Sequence, residues 1–147
     1  MDRSRALRIP AGVRGVVVLD SGAVTSLAEQ DPIARALWRR LTELGWRTAV
    51  PAVTLAEATT GRPGPDAPTN RLIRQVGHTI LCDERLGRAA GVLRTAALAR
   101  RSGASGIDAI VAAVAEANAP SIVLTTDPDD LEILLAHRSQ PGHRRLS

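Results

Sequence analysis

The chain contains no lysine, and all 19 of its basic side chains are arginine. P-loop nucleotide binding and Schiff-base catalysis each need a lysine, so both classes drop out. Enzymes that phosphorylate a strand-end aspartate usually recruit a lysine as well, and the second aspartate that their motif expects two positions after Asp20 is Gly22 here. Phe and Tyr are absent too, which leaves two tryptophans as the only aromatic platforms for stacking. The single Cys82 cannot form an intrachain disulfide, and its place in the apolar run "HTILCDE" predicts a reduced core thiol rather than a nucleophile. No apolar run approaches the roughly 20 residues that span a bilayer. The basic start "MDRSRALRIPAGVRG" leads into an apolar stretch too short for a signal peptide, so a cytoplasmic location is expected.

What remains is a basic chain of 147 residues, long enough for one domain with a core of its own. Nineteen arginines against 15 acids give a formal charge of +4. Planar guanidinium groups suit bidentate phosphate recognition, so nucleic acid is the natural partner. The plainer alternative is that the arginines only solvate the surface.

Residues 1–14 form a basic arm with Arg3, Arg5, Arg8 and Arg14, residues 15–138 the domain, and residues 139–147 a tail expected to be loop. The run "VVVLD" (16–20) reads as a strand buried on both faces. "DPIARALWRRLTELG" reads as a helix capped by Asp31, with Ile33, Leu37, Leu41 and Leu44 on its apolar face. A short strand at 47–50 and a helix carrying Glu57 follow, and "GRPGPDAPTN" (61–70) reads as a loop that could cover the site. "HTILC" (78–82) is a third strand, 83–103 a helix with Leu86, Ala90, Leu93 and Ala97 inward, and 106–119 a nearly uncharged, buried helix. "SIVLTTD" (121–127) is a fourth strand and "PDDLEILLAH" a closing helix. Alternating strands and helices predict an α/β fold with a central, mostly parallel sheet of four to five strands, covered on both faces.

Four acids share an unusual setting: Asp20, Glu57, Asp108 and Asp127 each sit at a strand end or on an apolar helix, where an isolated charge is costly. Asp20 and Asp127 end two parallel strands at the same edge of the sheet, where ligands of such sheets bind. Taken singly, each acid has an ordinary explanation as a helix N-cap, a first-turn dipole partner or one half of an ion pair. Taken together, clustered carboxylates repel one another unless a proton or cation intervenes. Oxygen-only ligands favour Mg²⁺ or Mn²⁺ over zinc, and His78, His137 and His143 fit no metal-ligand spacing. A carboxylate-held divalent ion in a basic protein points to phosphate chemistry.

In that order, "VVVLDSGAV", "TLAEATTG", "GIDAIVAAVAE" and "VLTTDPDDL" resemble the acidic motifs of PIN-domain ribonucleases, particularly VapC-type toxins of prokaryotic toxin–antitoxin pairs. The resemblance implies a three-layer α/β/α PIN-like fold and an Mg²⁺- or Mn²⁺-dependent endoribonuclease. By position it implies metal ligands at Asp20, Glu57, Asp108 and Asp127, a hydroxyl orienting water or a carboxylate at Thr125 or Thr126, and an auxiliary acid at Asp130. It also implies a homodimer and a small VapB-like antitoxin partner. Two features depart from the family: Leu131 stands where an aromatic is frequent, and the basic arm precedes the first strand. RNA recognition should then rest on arginine and RNA shape, with Arg62, Arg71, Arg74, Arg100 and Arg101 as candidates. A non-catalytic PIN-like scaffold that binds RNA or protein is the competing reading. A structure-specific DNA nuclease is disfavoured, because the chain has no room for the extra helices that grip DNA.

Overall fold

In a computed structural model, residues 12–99, 105–127 and 142–145 are described. β1 (Gly15–Leu19) leads into α1 (Ser21–Ala28) and α2 (Pro32–Glu43). β2 (Trp46–Pro51), a single 3₁₀ turn (Ala52–Thr54), the one-turn α3 (Leu55–Ala58) and α4 (Pro63–Val76) follow. Then come β3 (Thr79–Ile80), α5 (Glu84–Ala99), α6 (Gly106–Ala117), β4 (Ser121–Thr125) and β5 (Gly142–Arg145). The five strands form one sheet in the order β3-β2-β1-β4-β5, and every pairing is parallel.

β1 is the centre of this sheet and is buried along its whole length, which is why "GVVVL" is apolar without alternation. Val16 and Val18 face a core built with Ala90, Leu93 and Ala97 of α5 and the buried alanines and valines of α6. Val17 and Leu19 face the opposite core, made with α1, with Trp38 and Leu41 of α2 and with Leu72 of α4. The result is the expected three-layer α/β/α sandwich. Helices pack on both faces because a right-handed crossover must follow each strand of a parallel sheet.

Four expectations need correction. The stretch 61–70 is mostly helix: Pro63 and Pro65 occupy the first turn of α4, where an amide N–H has no partner in any case. Asp66 pins that turn by accepting from the Thr60 N–H (2.8 Å), the Thr60 hydroxyl (2.9 Å) and the Gly61 N–H (2.8 Å). α2 buries Ala34, Trp38 and Leu41, while Ile33 is 54% exposed and Leu44 is also at the surface. Its face is rotated by one residue because the indole buries more apolar area than Ile33 and its N–H finds the Thr48 hydroxyl at 2.7 Å. Cys82 is exposed rather than in the core, because β3 is only two residues long and the chain has already left the sheet at Leu81, which is 77% exposed. The tail contributes β5, pairing Gly142–Arg145 with Ile122–Thr125, where a loop was expected. The arm to residue 11, Arg100 and Arg101, the expected closing helix with Asp130 and Leu131, and His137 lie outside the described residues.

Candidate active site

The chain leaves β1 towards β2 on one side, and β4 lies on the other, so the sheet order reverses beside β1. In open α/β sheets the crevice at the carboxyl ends of the strands flanking such a reversal is where ligands bind. Asp20 directly follows β1, and Thr125, Thr126 and Asp127 close or follow β4. Both sides of the crevice therefore carry oxygen donors.

Asp20 is 7% exposed and is an N-cap after all: its Oδ1 accepts from the Ala23 N–H at 2.8 Å. The cap and the candidate ligand are compatible, since the carboxylate has lone pairs left after this bond. Thr125 is fully buried; its hydroxyl bonds to the Asp20 carboxylate and accepts from the Asp127 N–H at 2.9 Å. That one hydroxyl ties the end of β1 to the end of β4. Burial pushes the Asp20 carboxyl above its usual range; the Thr125 and Ala23 bonds pull it down, and the Asp108 and Asp127 carboxylates push it up again. Asp20 thus feels the charge of both Asp108 and Asp127.

The remaining acids arrive by different routes. Glu57 sits on α3 and is exposed, and its Oε1 accepts from the Ser21 hydroxyl at 3.1 Å, which places it beside the residue after Asp20. Asp108 lies half-buried in the first turn of α6 and forms a capping box with Ser105: its N–H donates to the Ser105 Oγ at 3.1 Å, and its Oδ2 accepts from the Ser105 N–H at 3.2 Å. Asp127 is exposed just past β4. The expectation of four buried charges therefore holds for Asp20 alone. The strand ends open to solvent, so the other three reach the crevice from its rim.

As the side chains lie, no group of three or more His, Cys, Asp or Glu among the described residues could hold a metal ion. The Asp108 and Glu57 carboxylates are occupied by Ser105 and Ser21. The donor chemistry nevertheless suits a hard divalent cation: all the candidates are oxygens, and the buried Asp20 carries a repulsion from Asp108 and Asp127 that such a cation relieves. His78 stands half-buried just before β3, its imidazole held below its usual range by burial and by the charge of Arg47.

Two neighbours of Asp20 carry positional work that the motif did not reveal. Ser21 orients Glu57. Gly22 lies so close to Thr126 that a Cβ at position 22 would overlap the Thr126 hydroxyl. The signal for Gly22 was present in the two small residues after the strand-end acid, and "SGID" carried the spacing of the Ser105 capping box.

No protein-family model matches the chain, and no curated protein does. Solved structures do. A chain of VapBC2 from Rickettsia felis, bound to a DNA fragment from their promoter, superposes with a TM-score of 0.70 at 12% identity, over 90% of this chain and 99% of that one. VapBC-1 from nontypeable Haemophilus influenzae gives a TM-score of 0.68 at 13% identity, over 89% and 98%. FitAcB from Neisseria gonorrhoeae gives 0.61 at 18%, over 80% and 92%. This chain therefore shares the fold of these VapBC and FitAcB chains, the three-layer α/β/α arrangement that the acidic motifs implied.

Proposed function

We propose that this protein is a metal-dependent endoribonuclease, the toxin of a toxin–antitoxin pair, acting through Asp20, Glu57, Asp108 and Asp127. The observation that carries the reading is the buried Asp20 at the reversal point of the sheet, held by Thr125 and sharing its field with Asp108 and Asp127. The likeness to chains of VapBC and FitAB complexes supports it.

Asp20, Asp108 and Asp127 would hold a Mg²⁺ or Mn²⁺, which would supply the positive charge that lets the carboxylates ionise together and the Lewis acidity for activating a water and stabilising the leaving oxygen of the phosphodiester. Asp20 is the central ligand, fixed by the Ala23 and Thr125 bonds so that it need not reorganise. Asp108 and Asp127 complete the oxygen set, and Glu57 acts directly or through water. Thr125 is a positioning residue, and Thr126 and Asp130 are auxiliary. RNA is the substrate, hydrolysed to a 5′-phosphate and a 3′-hydroxyl. A small antitoxin that blocks the crevice and a homodimeric state belong to the same reading. Among the described residues no helix is long and apolar enough to cross a membrane.

The competing scaffold reading draws on one observation, that no three candidate ligands already surround a common point. Incubating the purified chain with total bacterial RNA in Mg²⁺, Mn²⁺ or EDTA separates the two. Cleavage that EDTA abolishes, with 5′-phosphate ends, supports the nuclease; RNA binding unaffected by metal and without cleavage supports the scaffold.

A further inference from the structure

The two tryptophans of this chain lie together, away from the acids. Gly15 pairs with Trp46 at the amino ends of β1 and β2, whereas Asp20 follows the carboxyl end of β1. Here α2, β2 and the end of α4 enclose a cleft of about 760 Å³, lined among others by Arg35, Trp38, Arg39, Trp46, Arg47 and Gln75. That volume falls within the roughly 300–1,000 Å³ typical of small-molecule sites. Its walls are held in place: the Trp38 Nε1–H donates to Thr48 at 2.7 Å, and the Arg35 Nη1 donates to the Leu27 carbonyl at 3.1 Å with its guanidinium 5.8 Å from the centre of the Trp38 ring. Trp46 is wedged against β1, since a Cβ on Gly15 would lie 2.7 Å from its indole.

The charge of the cleft is one-sided. Among the described residues Arg39 and Arg47 have no carboxylate partner, and Glu43, the one acid in the lining, lies 3.7 Å from Arg40. Exposed guanidinium groups without a carboxylate partner, set beside indole walls, fit a ligand that is anionic at one end and flat and apolar at the other. Guanidinium binds phosphate oxygens in a bidentate fork, while indole and a stacked guanidinium take the face of a planar base. The Gln75 amide offers both a donor and an acceptor for a base edge.

We propose that this cleft binds a nucleotide unit, its phosphate on Arg39 and Arg47 and its base against the Trp38–Trp46 wall. The nucleotide comes either as a free mononucleotide or as one residue of a single-stranded RNA. The cleft lies at the opposite end of the sheet from Asp20, so it anchors or senses its ligand and takes no part in phosphodiester hydrolysis.

Because the chain has only these two tryptophans and no tyrosine, its intrinsic fluorescence reports directly on the cleft. The full chain in EDTA, excited at the red edge of the indole band, is titrated with AMP, GMP, adenosine, inorganic phosphate, a tetra-adenylate and an acidic peptide. EDTA keeps this result independent of the proposed cleavage. Saturable quenching by AMP or GMP is expected, with adenosine and phosphate each weaker by about tenfold or more. Arg39→Ala/Arg47→Ala, changing two exposed side chains, should weaken nucleotide binding by about tenfold or more with unaltered thermal unfolding. A tetra-adenylate that binds about tenfold tighter than AMP identifies RNA as the source, and equal affinities identify the free nucleotide. The proposal is overturned if neither AMP, GMP nor tetra-adenylate quenches, if only the acidic peptide does, or if the double variant binds nucleotide as the parent does.

Discussion

Thr125→Val removes one hydroxyl from a fully buried site without changing the side-chain shape, so no cavity cost confuses the result. Two bonds go. The bond to the Asp20 carboxylate is one to a charged, 7%-exposed group, a class worth about 1.5–3 kcal/mol. The bond from the Asp127 N–H matters less, since Asp127 is exposed and its amide can turn to water. A loss of about 2 kcal/mol at neutral to alkaline pH follows, or a fall in Tm of about 4–8 °C for a domain of this size. The pH dependence carries the sharper test. Burial and the neighbouring Asp108 and Asp127 already raise the Asp20 carboxyl, and losing the Thr125 donor raises it further. A carboxyl raised on folding contributes stability that is present below its unfolded pKa and is lost as pH rises through the folded pKa. The gap between variant and parent should therefore be widest near about pH 8 and shrink towards about pH 4, where Asp20 takes up its proton. Urea unfolding in EDTA at both pH values measures this, and Thr125→Ser should retain most of the stability. An unchanged midpoint for Thr125→Val, or a loss equal at the two pH values, would refute the coupling between Thr125 and Asp20.

Three further outcomes are expected. Gly22→Ala should destabilise by about 1–3 kcal/mol through overlap with Thr126, and adding Thr126→Ala should recover much of that, as a double-mutant cycle by thermal unfolding would show. Asp66→Asn should lower Tm at neutral pH: burial raises its carboxyl, but the bonds from Thr60 and Gly61 together with the charge of Arg62 outweigh it and leave it below its ordinary value. A carboxyl lowered on folding contributes stability above its unfolded pKa and loses it as pH falls through the folded one, so parent and variant should converge in acid. Leu93→Ala, at a 1%-exposed position between α5 and the sheet, should cost about 2–5 kcal/mol in urea unfolding while leaving RNA cleavage intact under native conditions.

The layer architecture was legible because a strand buried on both faces cannot alternate, and "VVVL" and "IVLT" announce themselves as central strands. α4 was hidden behind three prolines and a glycine: Pro63, Gly64 and Pro65 fall in a first turn pinned by Asp66, which overrides their loop propensity, and Pro68 lies further inside the helix. The rotation of α2 followed from a cross-element bond, Trp38 to Thr48, that periodicity cannot contain. β5 was hidden for a different reason: a parallel edge strand is defined by the neighbour it pairs with, and "GHRR" carries no apolar pattern of its own. At the site, the positions of Asp20 and Thr125 were readable from the ends of their strands, whereas the exposure of Glu57 and Asp127 depends on how open the crevice is.

The central claim is that Asp20 anchors a divalent ion that drives RNA hydrolysis. The most direct test compares the parent and Asp20→Asn for Mn²⁺ binding by calorimetry, with cleavage of total RNA followed on the same samples. The expected result is that the parent binds Mn²⁺ and cleaves, while Asp20→Asn does neither and unfolds at the parent's temperature or above, because the charge that burial disfavours is gone. Cleavage by Asp20→Asn at the parent's rate, or Mn²⁺ binding unchanged by the substitution, would contradict the claim.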